Sequence, residues 1–151
     1  MLKKEVNSLL VNEIELFNTL QNYLEEQREC IKNNKLFELD SVGVKINSVC
    51  KNIAESTMKL KTTLGKQTIK DFITENKEDR ELYENYLFLV SQIEKLSLIK
   101  NDNQFLIKKS LSFTNKLLAS IKNNAMFIRE SQVIEFLLKE GSCLWQDCLI
   151  L

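Results

Sequence analysis

The sequence predicts an all-α fold: an elongated antiparallel helical bundle or coiled coil of three long helices, with a short extra helix and a C-terminal helix. Three observations predict it. The 151 residues contain no proline and only three glycines, Gly43, Gly65 and Gly141, so few residues break helices or permit hairpin turns. Apolar residues recur every three or four positions over long stretches. Hydrophobic residues make up 44% and charged residues 28%, the balance of a chain that buries a core rather than one that stays disordered.

The first helix is expected over residues 2–31. Leu2, Val6, Leu9, Leu16, Leu20, Tyr23 and Cys30 keep the alternating spacing once Glu13 and Gln27 are counted as its polar members. Leu10, Phe17, Leu24 and Ile31 add a second row at intervals of seven, which widens the stripe enough for two neighbours. Asn33, Asn34 and Lys35 supply cap and turn residues for a tight helical hairpin. A second helix over 36–64 carries Leu39, Val42, Ile46, Val49, Ile53 and Leu60. Gly43 inside it marks either a close helix approach or a helix that begins one turn later. Gly65 falls where a C-terminal cap belongs, with Lys59 and Lys61 at the negative pole of the last turn.

Thr68 to Asp71 has capping-box-like spacing and opens a short segment bearing Ile69, Phe72 and Ile73. Asn76 is expected to cap the next helix, with Glu78 and Asp79 in its first turn. That third long helix, over 77–122, would exceed either of the first two in length. Its seam of Leu82, Tyr86, Leu89, Ile93 and Leu96 then meets Lys100 and Asn103 before Ile107 and Leu111 resume it. Projection at about 100° per residue puts Leu87, Leu98 and Phe105 together on the opposite side, with Phe113 at the margin. Those residues either pack within a wide bundle core or form an apolar strip left open for a partner helix. Beyond Asn123 and Asn124, residues 127–138 spell one more amphipathic helix, including Phe127, Ile128, Val133, Ile134, Phe136, Leu137 and Leu138, stopped by Lys139 and Gly141. The apolar tail after Gly141 is docked, bound to a partner, or foreign to the gene.

Composition also excludes functions. Without histidine there is no Ser-His-Asp or Cys-His nucleophile system and no imidazole metal ligand. Cys30, Cys50, Cys143 and Cys148 lack metal-site or redox spacing, and an antiparallel hairpin would hold Cys30 and Cys50 about 18 Å apart, so reduced thiols are expected. Glu13 is a lone acid, read as solvated at the edge of the stripe or as a register device, and no carboxylate pair suggests acid-base catalysis. The chain is therefore expected to be no enzyme, with no catalytic residues, no metal and no cofactor. Twenty-one basic residues balance 21 acidic ones, against nucleic-acid binding. The N-terminal stretch is amphipathic rather than a signal peptide, and no apolar run reaches the ~18 residues of a membrane span. A cytoplasmic protein is the expectation.

The stretch "LIKNDNQFLIKKSLSFTNKLL" resembles the FlgN-type flagellar export chaperones of bacteria. In that resemblance Asn103 stands for the second of two signature asparagines, Leu106 and Ile107 for the apolar pair, and Leu111, Leu117 and Leu118 for the leucines that follow. Lys100 occupies the place of the first asparagine. The leucine-rich, glutamate-bearing first helix, the polar turn and the lysine-bearing second helix are similar too, over roughly residues 5 to 122. The resemblance implies a non-enzymatic cytoplasmic chaperone that binds the helical C-terminal regions of hook-filament junction proteins, blocks their premature assembly and delivers them to the flagellar export apparatus. In that family the C-terminal helical region does most of the gripping, so a bundle is expected over 1–122 and a C-terminal helical client-binding segment with an apolar tail over 123–151. The tail after Gly141 departs from the family's pattern, and no functional residue is carried onto it. The residues expected to meet the partner are Leu98, Asn103, Phe105, Leu106, Phe113, Leu117, Phe127, Ile128 and Phe136. The competing expectation is a self-associating coiled-coil adaptor without a secretion client, so that both monomer and homodimer remain open.

Overall fold

Two of the three long helices pack on the first, and that first helix is the hub of the molecule. The computed structural model describes residues 1–120, which form α1 (Leu2–Lys32), α2 (Leu36–Leu64), α3 (Ile69–Glu75) and α4 (Arg80–Ser120). Helix α1 lies against both α2 and α4, whereas α2 and α4 do not approach each other closely at the backbone. The all-α bundle expected from the sequence is what the chain forms. The two rows of apolar residues on α1 explain its central place: Leu20 and Leu24 are buried together with Leu10, Phe17 and Ile31.

Helix α1 ends where its apolar rows end. Lys35 donates its backbone N–H to the Cys30 carbonyl at 2.9 Å, closing the last turn. Asn34 takes the left-handed conformation, φ 54°, that glycine usually supplies and that asparagine tolerates. Helix α2 then runs back along α1. Asn12 donates to Ser56 and Thr57 to Glu13, while Lys45 pairs with Glu26 at 3.5 Å and sits over the Tyr23 ring. Gly43 is buried within a helix that already begins at Leu36, which removes the late-start alternative and leaves the close approach.

Gly65 ends α2 at φ 67°, and α3 carries the chain across the end of the bundle to α4. Thr68 caps α3 as its spacing predicts, its hydroxyl accepting from the Asp71 N–H at 3.1 Å. The expected start of the last long helix needs correction. Asn76 closes α3 by donating to the Phe72 carbonyl, and the cap of α4 is Asp79, whose carboxylate accepts from the Leu82 N–H. Helix α4 therefore begins at Arg80 rather than Lys77.

Helix α4 runs parallel to α1. Side-chain bonds between α1 and α4 or its entry join residues 74 to 79 positions apart, from Lys3 with Glu78 at one end to Arg28 with Asp102 at the other. Carrying that offset to Lys32 puts the end of α1 level with about residue 108 of α4. The final turns of α4 therefore project beyond the hairpin, by roughly 15 Å or more at 1.5 Å per residue.

Candidate partner-binding surface

The interruption in the α4 seam is a set of intramolecular ties. Gln92 donates to the Ile14 carbonyl at 3.1 Å and to Asn18 at 2.6 Å. One helical pitch after another further along, Asn103 donates to the Leu24 carbonyl at 2.8 Å and to Gln27 at 3.0 Å. Asn103 is only 1% exposed. Its amide is thus committed to α1 in the bundle, and the expectation that it meets a partner has no exposed surface to act through. Lys100 is half-buried, and burial draws its ammonium below the ordinary lysine range. Arg28 and Asp102 close the row with a charge-assisted bond of 2.9 Å at the surface.

The α1–α2 interface has its own polar tie, and here another expectation is corrected. Glu13 is not solvated at the edge of its stripe: it is fully buried, with Oε1 accepting from the Thr57 hydroxyl at 3.0 Å. Burial pushes its carboxyl above the ordinary value, an effect only partly opposed by hydrogen bonds from Thr57 and Ser56. The alternative reading, a register device, agrees with this placement. Cys30 and Cys50 are both buried, whereas Cys143 and Cys148 lie outside the described residues.

Two apolar surfaces remain on α4. On the side turned away from α1, Leu98 and Phe105 are each 67% exposed, and Leu87 is about half exposed. Leu98 and Phe105 are seven residues apart, so they stand on one face about 10 Å from each other. Charged neighbours on the same side, among them Lys95, Asp102 and Lys109, keep this face from forming a continuous apolar patch.

The second surface is a groove where the hairpin ends and α4 continues. It encloses about 520 Å³ and is lined by Ile31, Leu36 and Leu39 of the hairpin and by Ile107, Phe113 and Leu117 of α4, with Asn34, Lys109, Ser110 and Thr114 as its polar members. Phe113, placed at the margin of the outward strip by helical projection, stands at this groove and is 64% exposed. Leu117 lines it too, whereas Leu106 is half-buried against the core. The structure thus brings Phe113 and Leu117 together and leaves Leu98 and Phe105 as a separate site. Phe127, Ile128 and Phe136 lie outside the described residues, as does the expected boundary at 122–123.

Sequence reasoning missed the hairpin half of the groove. The signal was there: the third periodic stretch is about a dozen residues longer than the first, so one end of a packed bundle must leave α4 unmatched. Apolar residues flanking the turn, Ile31 and Leu36, were then the ones to face it. Among the described residues no helix is long and apolar enough to cross a membrane, and no cluster of acidic or cysteine side chains could hold a metal ion.

Comparison with known proteins supplies one match. A family model described as "FlgN protein" matches residues 1–127, which takes in the four described helices. No curated protein and no solved structure matches the chain.

Proposed function

The chain belongs to the FlgN family of flagellar export chaperones, and from that premise we propose that it holds the helical C-terminal regions of hook-filament junction proteins in the cytoplasm until they reach the export apparatus. The observation that carries the proposal is the pair Leu98 and Phe105, two large apolar side chains two-thirds exposed on a face of α4 that no other described helix covers. An amphipathic client helix supplies what that face lacks: apolar groups at helical spacing that its own monomer leaves in water. Full burial of one such side chain is worth about 1.5–3 kcal/mol. These anchors are the central contacts of an interface whose remaining affinity comes from the apolar groups that the client helix buries in turn. The cost of ordering the client keeps release at the export gate possible.

No covalent step enters this mechanism. The bundle acts as a rigid mount: the ties from Gln92 and Asn103 hold α4 on α1 through one side, which leaves the opposite side free. Occupying the client's assembly helix prevents it from joining another copy. A self-associating adaptor would use the same exposed groups to close a homodimer.

Calorimetric titration with purified C-terminal segments of the junction proteins from the same organism tests the reading. Binding at micromolar strength or tighter is expected, falling about tenfold or more in a Leu98→Ala, Phe105→Ala variant whose unfolding midpoint is unchanged. A folded protein that binds none of these segments and scatters light as a dimer would establish the adaptor instead.

A further inference from the structure

We propose that the groove at the open end of the bundle is the docking site for a segment of this same chain, residues 127–138. The inference goes beyond the chaperone reading, and its test needs no client, so either can fail alone.

The geometry begins with where the described chain stops. Leu117 lines the groove, Ser120 lies one turn further, and 31 residues follow. The groove wall on α4 extends from Ile107 to Leu117, about 15 Å of helix at 1.5 Å per residue. A helix over 127–138 is about 18 Å long by the same measure. Residues 121–126 between the two span up to about 20 Å when extended, ample for a reversal of direction. A segment leaving α4 at Ser120 and turning back thus runs antiparallel along the overhang and arrives at the hairpin turn.

The chemistry matches as well as the length. Phe127, Ile134, Leu137 and Leu138 fall on one side of a helix, at intervals of seven, three and one. That stripe faces Ile107, Phe113 and Leu117 on one wall and Ile31, Leu36 and Leu39 on the other. Glu130 falls within this stripe, between Leu137 and Ile134 in helical projection, and Lys109 on the groove offers it a cationic partner. The short tether raises the local concentration of the segment to the millimolar range, well above that of any second molecule at micromolar protein. This is why its own chain, rather than another copy, fills the groove. Docking covers Phe113 and Leu117 and leaves Leu98 and Phe105 open, so the two apolar surfaces of α4 are used separately.

Amide hydrogen exchange on the full chain, without client, tests the proposal. In the wild type the amides of 109–118 exchange slowly; in Ile134→Glu, Leu138→Glu they exchange about tenfold faster or more, while those of 89–103 are unchanged. The milder Ile134→Ala, Leu138→Ala pair gives a smaller change at the same amides. In the reciprocal variant, Leu117→Glu, the amides of 130–138 lose their protection. Unchanged exchange at 109–118 and at 130–138 in these variants would overturn the proposal. So would protection of 109–118 that disappears on dilution, because the occupant would then be a second copy.

Discussion

Removing the amide of Asn103 separates a tie that holds the bundle from a polar group that only interrupts its seam. In Asn103→Ala two hydrogen bonds are lost, those of 2.8 Å to the Leu24 carbonyl and 3.0 Å to Gln27. Each is worth about 1 kcal/mol net. The Leu24 carbonyl retains its place in the α1 ladder, and half-buried Gln27 can turn toward water, so neither partner adds the full penalty of a buried orphan. The vacated volume, at a site 1% exposed, adds about another 0.5–1 kcal/mol. The expected loss is about 2–3 kcal/mol, read as a lower urea midpoint at constant m-value. Asn103→Leu loses the same bonds but refills the space with apolar contact, and is expected within about 1 kcal/mol of the wild type. A cycle with Gln27→Ala isolates the pair term, expected at about 0.5–1 kcal/mol. An alanine variant within about 0.5 kcal/mol of the wild type would refute the argument, since that is how an ordinary surface position behaves.

Two further predictions concern the hairpin. Burial raises the Glu13 carboxyl above its ordinary value of 4.5, so the folded state favours the neutral acid. The stability linked to this group is fully present below the ordinary value and is lost as pH rises through the higher folded one. Glu13→Gln is therefore expected to gain on the wild type between pH 4 and pH 8 in parallel denaturant titrations, and a wild type that gains on the variant over that range would contradict the burial argument. Gly65→Ala probes the backbone alone: φ is 67° with ψ −121°, and an added Cβ would meet nothing within 4 Å. The expected cost is about 1–2 kcal/mol of strain, measured by the same titration. A neutral substitution would show that the turn relaxes.

The helices were legible because each carries its own periodic signal and punctuation. Helix α2 spans the residues its apolar spacing and Gly65 predict, and Thr68 caps α3 as its capping-box spacing implies. The start of α4 was misread because Asn76 and Asp79 are both good capping residues three positions apart, and only the packing of α3 decides that Asn76 closes one helix while Asp79 opens the next. The fate of the polar residues in the stripes was illegible for a similar reason. Hydrophobic period shows that Glu13 and Asn103 fall on inward positions, but not that Thr57 and Gln27 stand opposite them. The open strip was legible in part: Leu98 and Phe105 are exposed as the projection implies, whereas Phe113 belongs to a groove that exists only because two helices differ in length.

That difference in length has structural meaning only if α4 is prevented from sliding. Leucine-rich seams tolerate slips of one heptad, since apolar residues then meet other apolar residues. A slip of seven residues moves α4 by about 10 Å, enough to draw Phe113 back alongside the hairpin and erase most of the overhang. The polar rungs oppose this. In the shifted register Asn85 leaves Asn7, Gln92 leaves Ile14 and Asn18, and Asn103 leaves Leu24 and Gln27. Gln92 would come level with Asn7 and Asn85 with Lys3, but Asn103 would come level with buried Phe17 and Leu20, at about 1–3 kcal/mol for its unsatisfied amide. The slipped register thus loses the bonds of Asn103 and strands its amide, a sizeable part of the about 5–15 kcal/mol that stabilises a domain. The polar break at Asn103 and the groove lined by Phe113 and Leu117 are therefore connected: the first fixes how far α4 extends past the hairpin, and the second is the surface that this extension creates.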